Sequence, residues 1–201
     1  MMYCMVLILY CFCSVNKHCD VKPDNFVLST CNYFDSMFHR IDFSSLTLVD
    51  FGSAVDLLQN PDYTTENVNN VFFNGNTAKK DMQCIAMRNN QSWSFDADAF
   101  GLSCCAHVLL YGKHMEIRKN EKRRWMPSTS LKRYWHQDLW NEFFDTLLNL
   151  DCSSRSADSQ VSSMHGLYKK IDAYLETESN TLYQLLSRQA NILPESRGQI
   201  S

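Results

Sequence analysis

Apolar residues along this chain fall into blocks of different period, and the periods predict the elements. Asp96 to Tyr111 carries Phe100, Leu102, Cys104, Cys105, Val108, Leu109 and Leu110 on nearly every side and is closed by Gly112. That pattern predicts a helix at the centre of a domain, with Gly112 as its left-handed C-cap. His136 to Leu150 places Leu139, Trp140, Phe143, Phe144, Leu147 and Leu148 in an amphipathic stripe, whose aromatics read as core packing. Helical spacing resumes with Leu167, Ile171, Tyr174 and Leu175, then Leu182, Leu185 and Leu186. Two short apolar runs, Phe26 to Leu28 and Leu46 to Val49, read as strands. Between them, Ser29 to Ser45 is a polar and aromatic insert. Ser53 to about Gln83 is a long irregular segment rich in Asn, Thr and Asp, and Asp151 to Ser163 reads as a Ser-rich loop. The tail after Pro194 is expected to fray.

Met1 to Phe12 is nearly all apolar. A signal peptide would want a basic n-region and a small-residue cleavage site, and neither is present. The run is too short to span a bilayer, so no membrane association is expected. Length favours the end of a buried helix over a targeting segment.

The 201 residues, 45% hydrophobic and 20% charged, suit one globular domain with a sizeable core. A net charge of −3 argues against a general nucleic-acid binder, and no direct sequence-specific nucleic-acid contact is expected. The charge is uneven. Lys113, Arg118, Lys119, Lys122, Arg123, Arg124, Lys132 and Arg133 face only Glu116 and Glu121 within one stretch. It reads as a solvated loop, with a docking patch for an acidic or phosphate-bearing partner as the alternative. The nine cysteines form no C-x-x-C pair and no regular spacing, and Cys104 with His107 does not make a zinc site. Free, mostly buried thiols in the cytosol or nucleus fit best.

The chemistry lies in two polar loops. His18-Cys19-Asp20-Val21-Lys22-Pro23-Asp24-Asn25 precedes the first strand, and Asp50-Phe51-Gly52 follows the second. The pattern H-x-D-x-K-P-x-N serves phosphoryl transfer. An Asp reaches the acceptor hydroxyl, and a Lys two residues on reaches the transferring group. An Asn three residues further, with the Asp of the second loop, supplies oxygens for magnesium on ATP. D-F-G alone recurs by chance. The eight-residue block, its order and its strand context do not.

With these residues, the chain resembles the C-terminal lobe of a eukaryotic protein kinase over essentially its whole length. The implied fold is mainly α with a few short β-strands, one lobe of an α+β fold. It would span 1–194, with 195–201 as frayed tail. Read together, H-C-D-V-K-P-D-N-F (His18 to Phe26), M-Q-C-I-A-M (Met82 to Met87), W-S-F-D-A-D-A-F-G (Trp93 to Gly101) and W-N-E-F-F (Trp140 to Phe144) are similar to one family. It is the budding-uninhibited-by-benzimidazoles family of mitotic checkpoint serine/threonine kinases. The resemblance implies that Asp20 orients and deprotonates the substrate hydroxyl and that Lys22 stabilises charge on the transferred phosphoryl group. It implies Asn25 and Asp50 as ligands of magnesium on ATP, with His18, Asp98 and Gly52 as structural support. Asp98 matches the helix Asp that holds the catalytic-loop backbone; an ordinary acid offsetting a helix dipole is the equal alternative. Ser53 to Gln83 would be the activation segment. Implied partners are a protein substrate and mitotic checkpoint and kinetochore proteins, with location in nucleus, kinetochore and cytoplasm.

Departures qualify the resemblance. Cys19 replaces the Arg that many kinases pair with a phosphorylated activation loop, so switching through that Arg is not expected. Ala86 stands where a Glu would close the activation segment with an ion pair, which should loosen the segment or leave it to other packing. The six glycines are scattered, without G-x-G-x-x-G, and only seventeen residues precede His18. The expectation is a truncated chain or incomplete gene model, binding ATP weakly and tending to associate by itself. A catalytically inactive scaffold binding checkpoint partners is the second reading, and an unrelated α-rich binding module the third. The sequence has neither the G-x-S-x-G nor the H-E-x-x-H of hydrolases.

Overall fold

The computed structural model describes residues 16–28, 34–35, 40–41, 46–56, 72–75, 83–150, 157–178, 181 and 184. The apolar stretch Met1 to Phe12, most of the insert and of the segment after Ser53, the leucines at 182, 185 and 186 and the tail lie outside the described residues. The elements run β1 (Asn16–Lys17), β2 (Phe26–Leu28), β3 (Phe34–Asp35), β4 (Arg40–Ile41), β5 (Leu46–Leu48) and β6 (Val55–Asp56). They continue with α1 (Ile85–Arg88), α2 (Phe95–Tyr111), β7 (Ile117–Lys119), β8 (Trp125–Pro127), α3 (Gln137–Leu148) and α4 (Ala157–Thr177). The architecture is mainly α, with four two-stranded antiparallel ribbons among the described residues: β1–β6, β2–β5, β3–β4 and β7–β8.

Helix α2 is the axis of the core. Every residue from Phe95 to His107 is buried, as a helix apolar on most sides requires. Ser103 Oγ donates to the Ala99 carbonyl (3.0 Å) and His107 Nδ1 to the Lys113 carbonyl (2.9 Å), while the buried His107 Nε2 has no hydrogen-bond partner among the described residues. Gly112, at φ +67°, ends the helix as a left-handed cap, its N–H donating to the Val108 carbonyl. Against α2 packs α3, through Trp140, Phe143, Phe144, Leu147 and Leu148. Those rings meet edge-on, Phe143 lying 5.4 Å from Phe144 and 5.5 Å from Trp140. The stripe predicted from spacing is the stripe observed. Helix α4 closes the outer side with Met164, Leu167, Ile171 and Leu175.

Two sequence readings change. The Ser-rich segment expected to be a loop through Ser163 is already helical from Ala157. Ser and Asp disfavour helix interiors but suit the first turn, so polar composition concealed the start. The basic stretch expected to be a solvated loop contains the β7–β8 hairpin, paired Ile117↔Pro127, Arg118↔Met126 and Lys119↔Trp125. Ile117, Trp125 and Pro127 fall on one face and pack inward. With three-residue strands so rich in cations, the alternation was too short to read.

Candidate active site

The β2–β5 ribbon brings the two polar loops together. Its register, Phe26↔Leu48, Val27↔Thr47 and Leu28↔Leu46, sets the residues before Phe26 beside those after Leu48. The Val49 N–H completes the join by donating to the Asn25 carbonyl (2.8 Å). The pair forms across the long insert, which itself contributes the β3–β4 hairpin, Phe34↔Ile41 and Asp35↔Arg40. Inserting residues between paired strands adds little, because closure entropy grows slowly with loop length.

Within the first loop, Asp20, Lys22 and Asn25 form one cluster. Lys22 Nζ donates to Asp20 Oδ2 (2.6 Å), and the half-buried carboxylate raises the Lys22 pKa chiefly through that bond. Asn25 is buried, and its Nδ2 donates to the Asp20 carbonyl (2.8 Å) and to Asp20 Oδ2 (3.3 Å). With both amide hydrogens engaged, Oδ1 is the atom Asn25 has for a cation. Asp50 is exposed, in the left-handed region at φ 66° and ψ 68°, and accepts the Gly52 N–H on Oδ1 (3.4 Å). A Cβ on Gly52 would sit 3.2 Å from that oxygen, so glycine here keeps the carboxylate uncrowded. Asn25 and Asp50 thus offer hard oxygen donors of the kind Mg²⁺ takes, in the small number it needs when phosphates and water fill the rest.

His18 ties the loops from beneath. The Asp20 N–H donates to its Nδ1 (3.3 Å), so the proton sits on Nε2, which donates to the Val49 carbonyl (3.0 Å). The Phe51 ring meets the His18 ring edge-on at 4.8 Å while staying 58% exposed.

Asp98 anchors the loop to the core. From α2 it accepts the His18 N–H on Oδ2 (3.0 Å) and the Cys19 N–H on Oδ1 (2.7 Å), although about eighty residues separate them in sequence. Cys19 adopts φ 60°, a conformation that costs about 1–2 kcal/mol for a non-glycine residue. Holding both flanking amides on one carboxylate offsets that strain. Burial pushes the Asp98 carboxyl above the usual range, opposed by those two amides and by the charge of Lys17. An ordinary dipole-offsetting acid would stay at the surface; Asp98 is 6% exposed.

Three further residues lend support in roles that the sequence reading did not give them; two, Trp93 and Gly101, stand at the ends of a segment quoted for the resemblance. Lys17 is buried, with Nζ 2.9 Å from the Phe95 ring centroid. Trp93, buried before α2, pairs through its backbone with Phe73 and donates Nε1–H to the Gly75 carbonyl (2.8 Å). That contact pins part of the segment after Ser53 to the core. Gly101 lies one turn beyond Asp98, on the same side of α2, where a Cβ would stand 2.6 Å from the Val21 carbonyl oxygen. The signal was present: glycine in a helix interior is worth about 1 kcal/mol less than alanine, so its use there marks a close backbone approach. Gly101→Ala is therefore expected to lose stability by about 1–3 kcal/mol despite its better helix propensity. Chemical denaturation measures it, and an unchanged or raised midpoint would show that the loop does not rest on the helix.

The closing segment also differs from an ion-paired one. Ala86 is buried with Met87, Cys84 Sγ donates to Asp96 Oδ2 (3.1 Å), and the Arg88 guanidinium lies over Phe100 at 5.1 Å. Packing occupies the position of the missing Glu. Burial pushes the Cys19 and Cys104 thiols up to about 12, so neither is a ready nucleophile.

A loop with Asp, Lys and Asn clustered, joined to an Asp-Phe-Gly turn and backed by a buried helix Asp, defines the C-terminal lobe of a protein kinase. The chain is 32% identical over 185 residues to the mitotic checkpoint serine/threonine-protein kinase BUB1 of Arabidopsis thaliana, covering 86% of this chain and 33% of the relative. To the BUB1 kinase of Mus musculus it is 31% identical over 180 residues, covering 89% of this chain and 16% of the relative. The crystal structure of the BubR1 kinase domain superposes with a TM-score of 0.68 at 27% identity, over 93% of this chain and 53% of that one. No family profile matches. The chain belongs to the BUB1 family of mitotic checkpoint kinases and spans about a third or less of the length of the two named relatives.

Proposed function

We propose that this lobe carries the phosphoryl-transfer loops of a serine/threonine kinase acting in spindle-checkpoint signalling. The observation that supports it most is the hydrogen-bonded cluster of Asp20, Lys22 and Asn25, joined to Asp50 through the paired strands. In this reading Asp20 orients the Ser or Thr hydroxyl and takes its proton, while Lys22 offsets charge on the transferred group. Asn25 and Asp50 hold magnesium on ATP; when bound, the metal neutralises phosphate charge. His18, Gly52 and Asp98 keep the loops in place.

Catalysis needs the nucleotide covered, and the 201 residues contain no Gly-rich loop. Val27 and Phe51 are exposed beside the site, 48% and 58%, which suits contact with a nucleotide-covering lobe. Residues 1–194 would form the large lobe, with protein substrates and checkpoint and kinetochore partners, in nucleus, kinetochore and cytoplasm. The test is transfer from γ-labelled ATP to a mixed protein substrate by this lobe joined to a nucleotide-covering lobe. Label on Ser and Thr that disappears with EDTA is expected; label on Tyr, or none, would overturn the reading.

A further inference from the structure

Eight of the nineteen Lys and Arg, but two of the twenty-two Asp and Glu, lie between Lys113 and Arg133. That stretch is therefore +6 and the remainder of the chain −9. The structure mounts this charge on a firm support. Arg124, itself exposed, reaches across the surface and grips Asp145 of α3 with two bonds of 2.6 Å. The Asn149 side chain serves Trp125 like a neighbouring strand, accepting its N–H (2.7 Å) and donating to its carbonyl (2.9 Å). The Ser128 N–H extends the ladder to the Glu116 carbonyl (2.7 Å), and Tyr111 Oη donates to the Ser130 carbonyl (3.1 Å).

The other cations are exposed, Lys119 lying 4.8 Å from the Trp125 ring. Arg118 lies on the face opposite Ile117 and Lys119, and Lys122 and Arg123 form the turn; all three are exposed. Arg123 has φ 58°, a region that favours glycine, so the turn carries a guanidinium at a conformational cost. Lys132, Arg133 and the 76% exposed Tyr134 follow, with Lys132 Nζ 5.2 Å from the Trp135 ring. Among the described residues, no acid pairs with Arg118, Lys122, Arg123, Lys132 or Arg133.

We propose that the β7–β8 hairpin is a docking element for a short acidic segment of a protein partner. Exposed arginines on a firmly held hairpin match carboxylates, and Tyr134 offers apolar contact beside them. Shortness follows from the charge map. The paired strands extend only ~10 Å, at about 3.3 Å per residue, and a long polyanion such as nucleic acid would run off onto a surface of net negative charge.

Fluorescence anisotropy of the full chain with a labelled decapeptide of alternating Asp and Glu tests this. Saturable binding that weakens with salt is expected, since the contacts are exposed. Arg118→Gln, Lys122→Gln and Arg123→Gln combined should weaken it about tenfold, each exposed ion pair contributing about twofold. Charge reversal to Glu at the same three positions should weaken it further, whereas Lys169→Gln on α4 should not. Circular dichroism confirms that the variants fold. No saturable binding, equal binding by the triple variants, or tighter binding of a ten-nucleotide single strand would each overturn the proposal. Phosphoryl transfer does not use these residues, so its assay separates failure here from failure of the catalytic reading.

Discussion

Asp20→Asn is expected to lower single-turnover phosphoryl transfer by about 10²–10⁴-fold, with little change in folding, in a protein where this lobe is joined to a nucleotide-covering lobe. The substitution keeps the shape of the side chain and removes its charge and its basicity. Asp20 is partly exposed, and its ion pair with Lys22 stands at the surface, so stability should shift by no more than about 1 kcal/mol. What disappears is the negative end of the Asp20–Lys22–Asn25 cluster and, in the role proposed for it, the acceptor for the substrate proton. Rapid-quench measurement at saturating ATP reads the chemical step directly. A rate within about threefold of the parent, in folded protein, would remove Asp20 from the chemistry.

The largest effect on stability is expected at Asp98. Asp98→Ala leaves the buried His18 and Cys19 N–H groups without their acceptor, each costing about 1–3 kcal/mol. It also removes a negative charge that acts on the buried Lys17, which adds to the loss. These contributions overlap, so a total of about 3–5 kcal/mol is expected, a large part of a typical domain's margin. Asp98→Asn keeps one acceptor oxygen and should fall between. Denaturant unfolding measures both variants. Transfer should fall with them, because the two amides held by Asp98 immediately precede Asp20 in the loop. If Asp98→Ala lost less than about 1 kcal/mol, the catalytic loop would have to be held by something else.

How far the sequence could be read follows the range of the interactions. Helix α2, its Gly112 cap and the stripe on α3 were legible because each repeats a local period or a backbone requirement over many residues. The candidate loop was legible because an eight-residue block compresses Asp20, Lys22 and Asn25 into one turn, where the structure clusters them. The short hairpin at β7–β8 and the start of α4 were not, since three strand residues or one helical turn carry too little periodicity to outweigh polar composition. Asp98 shows the boundary best. By sequence it was equally a dipole-offsetting acid and a loop anchor, because the deciding partners, the amides of His18 and Cys19, lie eighty residues away. Gly101 and Lys17 lie on the same boundary: one yields space to Val21, the other lends charge beneath the loop, and both act across distant contacts. Elements, loops and family were properties of local residue order. The support of the Asp20 loop, and the fixing of the basic hairpin through Arg124 and Asp145, depended on burial and on pairing between segments, which local order does not encode.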